Sequence, residues 1–113
     1  MAAEDELYAE GEKLKDQGQH EEATAKFEQA LAANGNFALA HYALAVMYGK
    51  AGRHEEAVKH GQRACELEPD DPFAFTAMSV TYQRAFADTR NPAYIGQAEE
   101  AMGRAHALQF QRR

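Results

Sequence analysis

A six-residue segment that occurs twice in the chain places the strongest constraint on its fold. The segment GQHEEA at residues 18–23 returns as GRHEEA at residues 52–57, an interval of 34 residues. The same shift superimposes further residues, among them Leu14 on Tyr48, Ala30 on Ala64 and Asn36 on Asp70. Self-similarity at a fixed period of this length is typical of repeat proteins, in which each repeat is one supersecondary unit. The sequence therefore predicts a short array of similar units.

A third copy of the unit is longer than the first two. A further shift of 34 residues places Tyr82 on Tyr48, but the second half of this copy matches only when seven extra residues are allowed. With that insertion Ala98 aligns with Ala57. The predicted units are residues 4–37, 38–71 and 72–112, within one domain over residues 1–113.

Each unit contains two helical stretches. Apolar residues recur at helical spacing on both sides of a short interruption, which falls at residues 16–19 in the first unit and 50–53 in the second. Pro69 ends the second unit, Asp71 can cap the next helix, and Pro72 suits its first position. No segment alternates as a strand does. The sequence predicts an all-α array of three antiparallel helical hairpins.

The seven extra residues lie around segment 85–91 and allow two interpretations. Seven residues form about two helical turns, so both helices of the third hairpin could be longer. Alternatively, the segment could be a loop that projects toward a partner, because loops often carry function. Phe86 and Tyr94 would be buried in the first arrangement and exposed in the second. The repeat pattern is compatible with both.

Composition excludes several functional classes. The net charge is −6, from 18 acidic and 12 basic side chains, which argues against general binding to nucleic acid phosphates. No apolar run is long enough to cross a bilayer, and the acidic start MAAEDELYAEGEK does not resemble a secretory signal. Cys65 is the only cysteine, so no internal disulfide forms and a reducing compartment is expected. We expect a soluble cytoplasmic protein without membrane insertion.

The sequence offers no arrangement of residues that predicts catalysis or metal binding. His54 and His60 are six residues apart and fall on different helix faces, and HExxH motifs, paired cysteines and acidic calcium loops are absent. His20 and His54 share one repeat position, which explains them better than ligation does. Cys65 occupies an inward position, where an inert thiol is expected. We expect neither enzyme activity nor a cofactor or metal.

The unit closely resembles the tetratricopeptide repeat, a helical hairpin of 34 residues with small and large residues at fixed places. The matching small pairs are Gly11 with Ala23, Ala45 with Ala57 and Ser79 with Ala98, and the matching large residues are Leu14, Tyr48, Tyr82, Phe27 and Met102. Pro69 matches the family's terminal proline. Gly61 departs from the pattern by replacing a large residue, Gly35 by replacing a proline, and Glu10 by replacing an apolar residue. The resemblance covers nearly the whole chain and implies a right-handed superhelical array.

The resemblance also implies a concave groove, lined by the first helix of each unit, that holds a peptide or partner helix. Two of these helices are unusually apolar, FALAHYALAVMY at 37–48 and FAFTAMSVTY at 73–82. The predicted partner-binding residues are Tyr8, Glu12, Leu39, Tyr42, Val46, Phe73, Thr76, Val80 and Arg84. They give a groove that is acidic near the first unit and apolar in the middle. The alternative is that these residues only complete the core.

One activity of the family is not expected from the residues present. Some members hold the C-terminal carboxylate of chaperones with a clamp of cationic and amide side chains. The matching positions here carry Tyr8, Glu12, Ala43, Phe73 and Ala77. Because these residues provide no cation, any preferred ligand should be apolar or partly basic.

Charge is distributed unevenly and suggests a second hypothesis, self-association. Residues 4–37 have a net charge of −6, residues 38–71 of −2 and residues 72–113 of +2. The last apolar face of a stacked array needs a cover, so Leu108 and Phe110 are expected to be available to another copy. Such a contact would join the basic end to an acidic start and give a homo-oligomer. The alternative is ordinary solvated charge and a frayed tail.

Overall fold

The chain folds into six α-helices in the computed structural model, which describes residues 3–111. The helices are α1 (Ala3–Asp16), α2 (His20–Ala33), α3 (Ala38–Lys50), α4 (His54–Leu67), α5 (Pro72–Thr89) and α6 (Ala93–Gln111). No strand occurs between residues 3 and 111. The most extensive contacts join α1 to α2, α3 to α4 and α5 to α6, and shorter contacts join each hairpin to the next. The predicted all-α architecture of three hairpins is confirmed.

The repeated glycines end the first helix of the first two hairpins. Gly18 and Gly52 have positive φ angles of 81° and 82°, in the left-handed region that only glycine adopts without strain. The N–H groups that follow them donate to carbonyls five residues back, from Gln19 to Leu14 and from Arg53 to Tyr48. This is the hydrogen bond of a Schellman motif, which satisfies an otherwise free carbonyl of the helix end. The repeated segment thus forms the same helix-ending turn at two places in the chain.

The insertion lengthens both helices of the third hairpin. Helices α5 and α6 have 18 and 19 residues, whereas the other four have 13 or 14. Only residues 90–92 separate them, so the interpretation as longer helices is correct and the projecting loop is not. Phe86 and Tyr94 are half-buried. The added turn of α5 also brings the Asp88 carboxylate to 2.7 Å from Nε2 of buried His54.

Side chains cap both helices of the third hairpin at their N-termini. The Asp71 carboxylate accepts a hydrogen bond from the Phe73 N–H at 3.0 Å, and Pro72 occupies the first turn as predicted. Asn91 accepts in the same way from the Ala93 N–H at 3.1 Å. Each cap satisfies one backbone donor that lacks a partner within its helix.

Small residues allow the helices to approach closely at the core. A Cβ atom added to Gly11 would lie 2.6 Å from Cε1 of Phe27, so this position has no space for a side chain. In the second hairpin Gly61 stands where Phe27 stands in the first, and Sδ of Met78 from α5 occupies the space, 2.7 Å from an added Cβ. The departure at Gly61 is therefore compensated by a large residue from the next hairpin.

Replacing glycine by alanine should have opposite effects at two kinds of site. We expect Gly52→Ala to lower the free energy of unfolding by about 1 kcal/mol, because alanine is strained in the left-handed region. Gly96→Ala is the matched control, since Gly96 lies inside α6 with nothing within 4 Å of an added Cβ. It should raise the free energy of unfolding by about 0.5–1 kcal/mol. Urea unfolding followed by circular dichroism measures both, and equal effects of the two substitutions would contradict this account of the turn.

Candidate functional site

The predicted partner-binding residues fall on stripes that the packing of the array leaves uncovered. Along α3, between Ala38 and Lys50, nearly every side chain is buried, and those that are not are Leu39, Tyr42, Val46 and Lys50. Their spacing of three or four residues places them on one face of the helix. The neighbouring stripe of α5 contains Phe73, Thr76 and Val80. We call the stripes of α1, α3 and α5 that carry the nine predicted residues the groove surface.

The groove surface carries most of the large hydrophobic side chains that are exposed in residues 3–111. Leu39 is 49% exposed, Phe73 61% and Val80 43%. Only Ile95 and Phe110, both on α6, join them in this class within the described part of the chain. Contiguous exposed apolar area of this kind marks interaction sites, whereas single exposed residues do not.

Aromatic contacts between successive hairpins fix the middle of the groove surface. The rings of Tyr42 and Phe73 lie edge to face, with centroids 5.4 Å apart. One repeat earlier, Tyr8 makes a similar contact with Phe37, at 5.6 Å. Edge-to-face pairs contribute about 0.5–1.5 kcal/mol beyond their buried area. The rings of Tyr8, Tyr42 and Phe73 are therefore held in place by contacts within the chain itself.

The Tyr42 hydroxyl points away from solvent. Its oxygen is buried and has no hydrogen-bond partner within the described residues. Burial raises the pKa of Tyr42, and the charge of Asp71 raises it further, so the hydroxyl stays neutral. The ring of Tyr42, and not its hydroxyl, is the part that a ligand could contact.

The negative charge at the α1 end of the groove surface is partly neutralised by a neighbouring lysine. Glu12 forms an ion pair with Lys15, its Oε2 lying 3.1 Å from Nζ. Burial, followed by the charge of Glu12, raises the pKa of the Tyr8 hydroxyl to about 12. Asp5, on the same stripe, is exposed. Negative potential therefore remains beside Tyr8, although it is weaker than the sequence suggests.

Two predicted residues are engaged within the chain itself. The Thr76 hydroxyl donates to the Pro72 carbonyl at 3.1 Å. Arg84 lies against α3, since a Cβ added to Gly49 would be 3.2 Å from Arg84 Cδ. Thr76 and Arg84 are therefore less available to a ligand than Leu39, Tyr42 and Phe73.

The two residues predicted for self-association differ in exposure. Phe110 is 77% exposed, whereas Leu108 is 4% exposed. The expectation that Leu108 is available to another copy is wrong, because α6 turns this side chain toward its own hairpin. Leu108 corresponds to Leu67 of the second hairpin once the seven inserted residues are counted.

A histidine pair between α3 and α4 was not predicted. Nδ1 of His41 lies 3.1 Å from Nδ1 of His60, and Nε2 of His41 lies 3.0 Å from the Gly35 carbonyl. A carbonyl only accepts, so His41 carries its proton on Nε2 and its Nδ1 accepts from His60. The sequence signal was His41, the one strongly polar residue of an apolar helix, but its partner lies 19 residues away.

The remaining reactive groups do not form a chemical site. Among residues 3–111 no three His, Cys, Asp or Glu side chains are placed to hold a metal ion. Burial raises the pKa of the Cys65 thiol to about 11, and its Sγ donates to the Ala74 carbonyl, so the thiol is not activated. His54 pairs with Asp88, but its Nδ1 is buried without a partner and cannot meet a substrate. In this same part of the chain no helix is long and apolar enough to span a membrane.

Comparison with known proteins identifies the family. The family model for the tetratricopeptide repeat matches residues 8–72, more than half of the chain. The chain belongs to the tetratricopeptide repeat family.

Relatives and solved structures agree with this assignment. Anaphase-promoting complex subunit 3 of Schizosaccharomyces pombe (strain 972 / ATCC 24843) is 32% identical over 66 residues, which cover 58% of this chain and 10% of that protein. The crystal structure of MamA matches with a TM-score of 0.83 and 17% identity, over 98% of this chain and 61% of MamA. The second TPR of Spaghetti (RPAP3), bound to the HSP90 peptide SRMEEVD, matches with a TM-score of 0.78 and 23% identity. This match covers 94% of our chain and 92% of that one. At these identities the structures share the superhelical fold.

The histidine pair should make stability depend on pH. Burial lowers the pKa of His60 from its ordinary 6.5, and His41 adds to the effect, while Glu28 opposes it. The other nearby groups are Tyr48, stacked on the ring, and Glu56 and Lys59. Because the unfolded chain binds the proton more readily, the stabilisation is complete above about pH 6.5 and is lost as the pH falls toward the lowered value.

His60→Gln should therefore flatten the dependence of unfolding free energy on pH below about pH 7. The amide of glutamine can still donate to His41, so packing is largely preserved. Chemical unfolding at several pH values measures the slope, with His20→Gln, at an exposed position, as the control. An unchanged slope in His60→Gln would show that other groups carry the dependence.

Proposed function

We propose that this chain is a non-enzymatic interaction module that holds a peptide segment or partner helix against the groove surface. The observation that carries the proposal is the exposure of Leu39, Phe73 and Val80 beside rings that are already fixed. Family membership supports protein binding in general, and the groove surface supports the location. The net charge of −6 argues against nucleic acid as the partner.

The expected ligand presents apolar side chains at regular spacing. Tyr8, Tyr42 and Phe73 offer large rings at small entropic cost, since contacts between hairpins already restrict them. Aromatic anchors of this type often dominate the energy of interfaces. A helix with apolar residues three and four apart, or an extended segment with alternating apolar residues, would fit this surface.

The ligand is not expected to be acidic. The structural neighbour from Spaghetti holds SRMEEVD, a peptide rich in carboxylates. At the positions that match a carboxylate clamp, our chain carries Tyr8, Glu12, Ala43, Phe73 and Ala77 and therefore no cation. Glu12 and Asp5 would instead favour a basic side chain at the α1 end of the groove surface.

A second candidate function is self-association through the third hairpin. The observation that favours it is the 77% exposure of Phe110. Contact with a second copy would remove this apolar area from water. For either function we expect a cytoplasmic location, since the one cysteine is a half-buried, unactivated thiol that suits a reducing compartment.

Removing an anchor should strongly weaken peptide binding without unfolding the chain. We expect Phe73→Ala and Tyr42→Ala each to weaken binding by about tenfold or more. Tyr42→Phe is the matched control, since it keeps the ring and removes a hydroxyl that has no hydrogen-bond partner among residues 3–111. Circular dichroism should show unchanged helicity in all three.

The probes are peptides selected from a displayed random library, labelled with fluorescein and measured by fluorescence anisotropy. The selected sequences should be apolar with a Lys or Arg near one end, and SRMEEVD should not bind. Selection of acidic peptides, or full binding by Phe73→Ala, would overturn the proposal.

A further inference from the structure

A cavity of about 720 Å³ lies between α4, α5 and α6. Its floor is apolar and includes Cys65, Met78, Tyr82 and Ala101. Its rim is polar, and the side chains that line it are Gln62, Glu66, Gln97, Glu100 and Arg104. We call this the α4–α6 cavity. It lies on the side of α5 opposite Phe73 and Val80, because Met78 and Tyr82 are about half a helical turn away from them.

Phe110 cannot fill the cavity of its own chain. It follows Ala101 by nine residues on the same helix, α6. At 1.5 Å per residue this separates the two by about 14 Å along the helix axis. Phe110 is the most exposed large hydrophobic side chain of the described residues. It can therefore enter an α4–α6 cavity only if that cavity belongs to another molecule.

We propose that Phe110 of a second copy fills the α4–α6 cavity, and that the exchange is reciprocal. The two α6 helices then run antiparallel through their exposed faces, about a two-fold axis at the level of Ala105 along the helix, which places each Phe110 opposite Glu100 of the other copy. Such an interface uses the same patch on both copies and closes at a dimer. This inference rests on the second candidate function and supplies its receptor surface.

The exposed face of α6 permits this pairing. The same register places Gly103 opposite Ala107 of the other copy. Both residues are exposed, and an added Cβ at Gly103 would meet nothing within 4 Å. Small residues at a crossing allow two helix backbones to approach closely, so the long Phe110 side chain can reach the floor of the cavity.

Charge at the rim favours this segment as the occupant. The charged side chains of the rim are Glu66, Glu100 and Arg104. Glu66 pairs with Arg63, and the Arg104 guanidinium lies over the ring of Phe75, which also lines the cavity. Within residues 3–111 Glu100 has no ion-pair partner. In the sequence Phe110 is followed by Gln111 and two arginines, which lie outside the described residues. Glu100 is therefore the uncompensated charge of the rim, and it favours an occupant that comes from a basic part of the chain.

The dimer would leave the groove surface free. Its residues come from α1, α3 and one side of α5, whereas the proposed interface uses α6, α4 and the other side of α5. A dimer would thus present two groove surfaces and could bind a repeated ligand with avidity.

The test is sedimentation equilibrium of the whole chain over a roughly hundredfold range of concentration. We expect the mass to rise from 12.5 kDa toward twice that value. Phe110→Glu should remain monomeric, because a carboxylate would enter an apolar cavity beside the unpaired Glu100. Glu100→Lys should weaken the dimer by about tenfold through repulsion of the basic segment. Ile95→Glu, at an exposed residue of α6 outside the cavity, should leave the dimer unchanged.

Each other result has a defined meaning. A wild-type chain that stays monomeric would overturn both self-association and the cavity as its receptor. A second possible result is that Phe110→Glu disrupts the dimer, while Glu100→Lys and Gln97→Trp, both at the cavity rim, do not weaken it. That result would support self-association but overturn the cavity as the receptor surface. Dissociation by Val80→Glu instead would place the interface on the groove surface. Peptide binding measured on monomeric Phe110→Glu tests the groove separately, so one proposal can fail without the other.

Discussion

The close approach of the two helices within each hairpin is the contact on which the rest of the structure depends. In the first hairpin the backbone at Gly11 meets the ring of Phe27, with no room for a Cβ between them. In the third hairpin the Ser79 hydroxyl donates to the Ala98 carbonyl of the facing helix at 2.8 Å. A larger residue at either place would force the helices apart, and interiors this dense relax only partly. The distance between the two helices of one hairpin then determines where the next hairpin can pack.

The groove surface follows from this stacking. Helix α3 packs against α2, α4 and α5 at once, so its sequence must be apolar on nearly all sides. The stripe through Leu39, Tyr42 and Val46 is the one part of α3 that these neighbours do not bury. It is apolar like the rest, although nothing in the stacking requires it to be. That excess of apolar residues is the physical basis of the proposed groove.

The sequence predicted features that depend on local backbone rules better than it predicted contacts. Gly18 and Gly52 could be assigned to turns because positive φ excludes most other residues. The insertion could not be assigned, since about two turns of helix and a short loop need the same number of residues. Leu108 was misjudged because exposure at the end of an array depends on how far α6 rotates. The contact between His41 and His60 depends on the packing of α4 on α3, and no local pattern shows it.

The third hairpin shows how departures from the repeat create new surfaces. Its longer α5 brings Asp88 to His54, which fixes the added turn against α4. The loss of a large side chain at Gly61 draws Met78 toward α4, and Met78 then forms part of the floor of the α4–α6 cavity. Helix α6 continues beyond Leu108, which matches the last residue of α4, and this extension carries the exposed Phe110. In the third hairpin, the α4–α6 cavity and the exposed Phe110 therefore both lie where the chain departs from the regular repeat.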